Sequence, residues 1–266
     1  MFFNQLLSSI YSLRCIRFFL LICIICFISF NPIFGADSTK VDRHFSGNIT
    51  VTQNGISLLP NLSLGKPALI MEYSLGSKKY AFEPQLRFSL DGKPWSFIFW
   101  FRKKMQFNKF LLNIGTHPSI VFRRNNVLNS AGELIETLDV QQYLVGEIAP
   151  SFRVSKNTTI GMYYLSSFSW INAPIKQTQF ITMNAVLNNI KLIGDFRLRL
   201  FPQIYFLKMD ALEGTYMTEN VTISHRKSPF FINSILNQKF SSTIPGKDFN
   251  WNISLGYSFN TDWLKK

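Results

Sequence analysis

His117, Pro118 and Ser119 place a base and a nucleophile two positions apart. On an extended strand residues i and i+2 share a face, so the serine hydroxyl would lie beside an imidazole able to take its proton. A hydrolytic pair also needs a group that orients the imidazole. Asn113 falls on the same strand face, and Asn125, Asn126 or Glu147 could approach in space, but spacing fixes none of them. Pro118 counts against the pair, because proline cannot donate to a strand ladder. The plainer reading is a hydrogen-bonded histidine near a strand end.

Other chemistry is sparse. His44 lies in a polar lead-in and His225 on a weakly patterned segment, so no metal site and no cofactor is expected. The three cysteines, Cys15, Cys23 and Cys26, all fall near the N-terminus, and no glycine-rich phosphate loop is present. Beyond them the chain has no thiol for a disulfide, a nucleophile or a zinc ligand.

The N-terminus reads as an export signal over 1–36. Arg14 and Arg17 precede the apolar run Phe18 to Phe30, Asn31-Pro32 breaks it, and Gly35-Ala36 offers a cleavage point. That run is shorter than the roughly 18–20 residues of a membrane helix, and no later run is longer. The formal net charge is +13, with lysine and arginine spread singly or in short pairs such as Arg123-Arg124. Behind an export signal this balance favours anionic lipid headgroups and lipopolysaccharide as partners over nucleic acid.

The elements that would carry His117 and Ser119 are strands of one kind. Tyr80 to Leu90 alternates Tyr80, Phe82, Leu86, Phe88 and Leu90 with Glu83, Gln85, Arg87 and Ser89. The pattern recurs through the chain. From Trp95 it places Trp95, Phe97, Phe99 and Phe101 on the apolar face, with Trp100 as a departure on the other. Residues 123–139 break the period and read as a loop. Counting from Ser57–Leu64 gives twelve segments, with ten or fourteen open, most near the roughly 9–11 residues of a tilted membrane strand. The connections alternate between short turns and longer loops.

Behind a signal, alternating strands ending in Ile253, Leu255, Tyr257 and Phe259 resemble a Gram-negative outer-membrane β-barrel protein. The resemblance is to the class and covers nearly all of the chain beyond the signal. It implies an all-β, transmembrane, antiparallel up-and-down barrel in the cell outer membrane. In that class an aromatic-terminated final strand is the assembly signal read by the barrel assembly machinery, although here a tail, 260–266, follows Phe259. The His117/Ser119 pair is similar to that of outer-membrane phospholipase A and lipid A deacylase barrels, without the fuller motif around it.

The domain expectation is a signal over 1–36, a periplasmic lead-in over 37–56, a barrel over 57–259 and a tail over 260–266. Lipid supplies no hydrogen-bond partners, so a spanning sheet must close. Inside it, Glu83, Arg87, Arg102, Glu147, Arg153, Arg197 and Arg199 are expected to line a slim lumen as paired charges. Trp95, Trp170, Trp251, Tyr73 and Tyr80 would form an interfacial girdle. The leading expectation is a non-enzymatic narrow pore or structural protein. The alternatives are a lipid or lipopolysaccharide hydrolase using His117 and Ser119, and a soluble exported lipocalin-like binding barrel.

Overall fold

A computed structural model describes residues 43–128, 133–171 and 173–263. The expected signal peptide and the last residues of the tail lie outside them. Twelve strands run in order: β1 (Arg43–Thr52), β2 (Ala68–Ser77), β3 (Tyr80–Ser89), β4 (Pro94–Phe107), β5 (Phe110–Leu128), β6 (Leu134–Arg153), β7 (Thr158–Ser169), β8 (Gln177–Lys191), β9 (Phe196–Met209), β10 (Leu212–His225), β11 (Phe230–Ser242) and β12 (Phe249–Trp263). Each pairs antiparallel with its neighbours in sequence, and β1 closes the barrel on β12 from Arg43–Trp263 to Thr52–Ser254.

The side-chain period decides which face meets what. Outward positions keep large apolar residues exposed, among them Phe101, Ile114, Leu144, Ile148, Met183, Ile204 and Leu255. Inward positions hide polar groups such as Thr52, Gln141, Glu147, Thr182, Gln203 and Asn252. A soluble barrel has the opposite arrangement, so the lipocalin-like reading is set aside. A closed apolar belt satisfies every ladder internally and matches a bilayer.

The first strand corrects the sequence reading. Ser57–Leu64 is not a strand, and the first strand is Arg43–Thr52, within the stretch expected to precede the barrel. β1 alternates Phe45, Ile49 and Val51 outward with Ser46, Asn48, Thr50 and Thr52 inward. Residues 58–64 contain Pro60, which cannot donate to a ladder, and Pro60–Leu62 form one 3-10 turn instead. The strand count survives because one segment replaces another. The barrel also continues past Phe259 to Trp263.

Two further corrections concern β4 to β6. Residues 123–139 are largely strand: β5 and β6 stay paired out to Leu128–Leu134. Their neighbours stop earlier, β4 at Val121 and β7 at Tyr143, so the hairpin stands beyond the rim. It satisfies its own hydrogen bonds and needs no third strand. Trp95 faces inward instead of joining the girdle. A bulge puts one extra residue of β4 between Arg87–Ser96 and Phe88–Pro94, and the tryptophan is buried.

Both termini of the sheet lie at one end, together with the short turns at 78–79, 108–109, 154–157, 192–195 and 226–229. The opposite end carries the 53–67 loop, the projecting hairpin and the 170–176 and 243–248 connections, beside two tight turns. Short turns mark the periplasmic end of outer-membrane barrels and long loops the outer end.

Candidate functional site

The lumen is the site. One charged cluster forms because neighbouring strands bring three inward positions into register. Arg102 on β4 stands opposite Gly115 on β5, which stands opposite Glu147 on β6. With no side chain between them, Arg102 reaches Glu147 bidentately, Nε to Oε1 at 2.5 Å and Nη2 to Oε2 at 3.1 Å. A Cβ on Gly115 would lie 2.7 Å from the Glu147 carboxylate, so glycine is what makes room for the pair.

Arg102 also bonds Glu83 through Nη1 and lies 4.3 Å over the Trp100 ring. Glu83 accepts from Lys104 Nζ at 2.5 Å and from Ser74, while Tyr163 donates to Glu147 at 2.8 Å. Alternating charges therefore brace β3, β4 and β6 from within, and the Tyr163 hydroxyl ties in β7.

Above this cluster the 53–67 loop turns into the barrel. It is tied to itself by Gly55 N–H to Lys66 O at 2.8 Å and Leu64 N–H to Gly55 O at 2.9 Å. Trp95 Nε1 donates to Leu62 O at 2.9 Å, and Tyr205 Oη donates to Leu58 O at 3.2 Å. Leu58 and Leu59 pack on Phe180, Tyr205, Leu207 and Tyr216, and Leu62 packs on Trp100, Val121, Tyr143 and Val145. The loop is thus seated against an apolar ring on the lumen wall.

Below the loop lies a cavity of about 690 Å³. Its wall includes Arg87, Arg102, Glu72, Asn113, His117, Ser119, Asn184 and Gln203. Arg87 donates Nη2 to Gln85 Oε1 at 2.7 Å and lies 5.3 Å over Trp95. Its Nε is buried without a partner among the described residues, as is His117 Nδ1.

The expected lumen residues divide. Glu83, Arg102 and Glu147 are brought together, and Arg87 faces the cavity. Arg153, Arg197 and Arg199 stand toward the short-turn end, apart from the cluster. Arg153 is exposed; Arg197 donates to Gly194 O at 3.1 Å and Phe196 O at 2.8 Å; Arg199 donates to Asn188 at 3.1 Å.

His117 and Ser119 are both buried on the lumen wall, but no hydrogen bond joins them among the described residues. The imidazole instead meets Trp100 edge-on, with ring centroids 3.9 Å apart. The hydroxyl faces the lumen, not lipid. In β12, Ile253, Leu255 and Tyr257 face outward and exposed, while Phe259 packs on Phe45 with ring centroids 5.2 Å apart.

The sequence reading missed the inward leucines of the loop and their apolar seat. The signal was present: Val121, Tyr143, Val145, Phe180 and Leu207 are apolar at positions the alternation assigns to the lumen.

No family model matches the chain, and no curated protein matches it. Among solved structures it is similar to an outer-membrane channel from Pseudomonas putida F1, with 9% identity and a TM-score of 0.50 over 87% of this chain and 99% of that one. It is also similar to the NanC porin, with 8% identity and a TM-score of 0.50 over 82% of this chain and 100% of that one. At such identities the likeness carries the fold alone. With its apolar belt and closed antiparallel sheet, the chain has the fold of a twelve-stranded outer-membrane β-barrel.

Proposed function

We propose that the protein is a non-enzymatic, constricted outer-membrane channel whose 53–67 loop sets its passage. The observation that carries this reading is the seating of Leu58, Leu59 and Leu62 on an apolar ring directly above a cavity of about 690 Å³. A structural plug would fill that space. Here the cavity wall mixes apolar side chains with Arg87, Asn113, Asn184 and Gln203, which suits a small solute that carries an anionic or hydrogen-bonding group. The solved structures of similar fold include an outer-membrane channel and a porin, which agrees with a passage role.

The test is planar-bilayer recording of the full barrel and of a variant in which 56–63 is replaced by a short Gly-Ser linker. The wild type should show small steps and the variant larger ones. Equal conductance in the two would remove the loop as the constriction.

A further inference from the structure

Ser151, Met162, Asn184 and Gln203 line two cavities at once. One is the lumen cavity below the loop. The other is an open groove on the outer face of β6 to β10 among Phe152, Ile160, Met183, Ile204 and Met217.

The ladder is interrupted there. β6 and β7 pair at Ile148–Tyr164 and next at Ser151–Gly161. β8 and β9 pair at Asn184–Gln203 and next at Leu187–Leu200. Pro150 and Pro202 fall in these two gaps, and neither has an N–H to close them. Gly161 adds no side chain to the wall. Pro84 and Pro118 sit in comparable gaps of β2–β3 and β4–β5, but there Trp100, His117 and the Arg102–Glu83 pair fill the inner side. The β6 to β9 gaps instead have the lumen cavity on one side and the outer groove on the other, with β7 and β8 paired between them.

The two faces differ in chemistry. Inside, the hydroxyl of Ser151 and the amides of Asn184 and Gln203 offer donors, and the unpartnered Nε of Arg87 lies farther along the same cavity. Outside are methionines, which adapt to chains of varied shape. Glu219, opposite Pro202, puts a carboxylate beside the outer face, held by Phe201 N–H at 3.0 Å. A negative head is therefore disfavoured on that side.

We propose that this window is a lateral portal between lumen and bilayer for a single-chain amphiphile with a carboxylate head. The head sits among Ser151, Asn184 and Gln203, and the acyl chain lies on Met162, Met183 and Met217. The proposal rests on the reading of the lumen as a solute path and names the solute.

Two dodecanoic acids test it, one with a diazirine beside the carboxylate and one with a diazirine at the chain end. Each is photolysed with the full-length barrel in liposomes, and adducts are mapped by mass spectrometry. The head probe should mark Ser151, Asn184 or Gln203, and the tail probe Met183 or Met217. Ala185→Trp, which fills the outer groove, should lose the head-probe adducts while heat-modifiable migration confirms that it folds. Adducts from both probes spread evenly around the apolar belt, with none inside, would overturn the portal. Current through a barrel without inner adducts removes the portal and leaves the channel. Inner adducts in a barrel that carries no current keep the portal and remove the channel.

Discussion

The phenol of Tyr205 donates a hydrogen bond to the carbonyl of Leu58, 147 positions earlier in the chain, at 3.2 Å. The same oxygen accepts from Asn237 Nδ2 at 2.7 Å. One side chain thereby fastens the inward loop to two strands on the far side of the lumen. Tyr205→Phe removes both bonds and leaves a buried amide without its acceptor. A loss of about 1–3 kcal/mol is expected. Denaturant unfolding followed by gel migration measures it, and bilayer recordings should show noisier, larger currents.

Leu86 and Gln85 are consecutive on β3 and face opposite sides, Gln85 lining the cavity. Leu86→Arg should cost about 2–4 kcal/mol near the bilayer midplane and reduce assembly into the membrane. Gln85→Arg faces water-accessible space and should assemble close to normally. Equal assembly of the two variants would contradict the assigned faces.

Arg102 and Glu147 form a pair whose side chains are 21% and 1% exposed. Glu147→Ala strips Arg102 of its bidentate partner, leaves Glu83 as its counter-ion, and should destabilise the barrel by about 1–3 kcal/mol. Replacing both residues with leucine should recover part of that loss, because no uncompensated charge is then left between β4 and β6. Unfolding midpoints of the three variants give the comparison.

The projecting hairpin is clamped to the 90–93 turn. Arg124 bonds Asp91, and Lys93 bonds Glu136 through both carboxylate oxygens, at 2.9 and 2.8 Å. The Ser89 hydroxyl first, then Arg124 and the Lys93 N–H, hold the Asp91 carboxyl well below the ordinary carboxylate range. Glu136 is lowered chiefly by Lys93. Both groups ionise more readily folded than unfolded, so their contribution is complete above the ordinary values of 3.8 and 4.5 and fades as pH falls below them. Hydrogen exchange in 124–128 and 134–136, corrected for intrinsic rate, should be unchanged from pH 7 to 5 and rise by pH 3. High salt should weaken the clamp at neutral pH.

Ser119→Ala tests the hydrolytic reading. The hydroxyl is buried in the lumen wall and is not joined to His117, so phospholipid and lipopolysaccharide composition should be the same in cells carrying either form. A changed acyl pattern would restore the enzyme.

Much of the wall was legible because a strand has a period of two, and lipid on one side with water on the other enforces it at every step. Tyr80 to Ser89 and Phe249 to Phe259 therefore declared their outward faces from residue types alone. Opposed charges on the inner face, Glu83, Arg102 and Glu147 among them, could be named as lumen residues. Their meeting could not, because it depends on the register that sets Gly115 between Arg102 and Glu147.

The same physics explains the errors. Leu58, Leu62 and Leu64 look like an outward face, but Pro60 and the lack of a ladder partner turn that stretch into a loop that buries its leucines inward. Trp95 has an outward residue type, and a bulge sends it in. Sequence by itself determined that the chain makes a closed, lipid-facing sheet, since each strand's alternation is a local property. Where the inward leucines seat and where the ladder is interrupted were decided only by the tertiary structure. Those features arise where residues far apart in the chain, such as Leu58 and Tyr205, or Pro150 and Pro202, come to share one space.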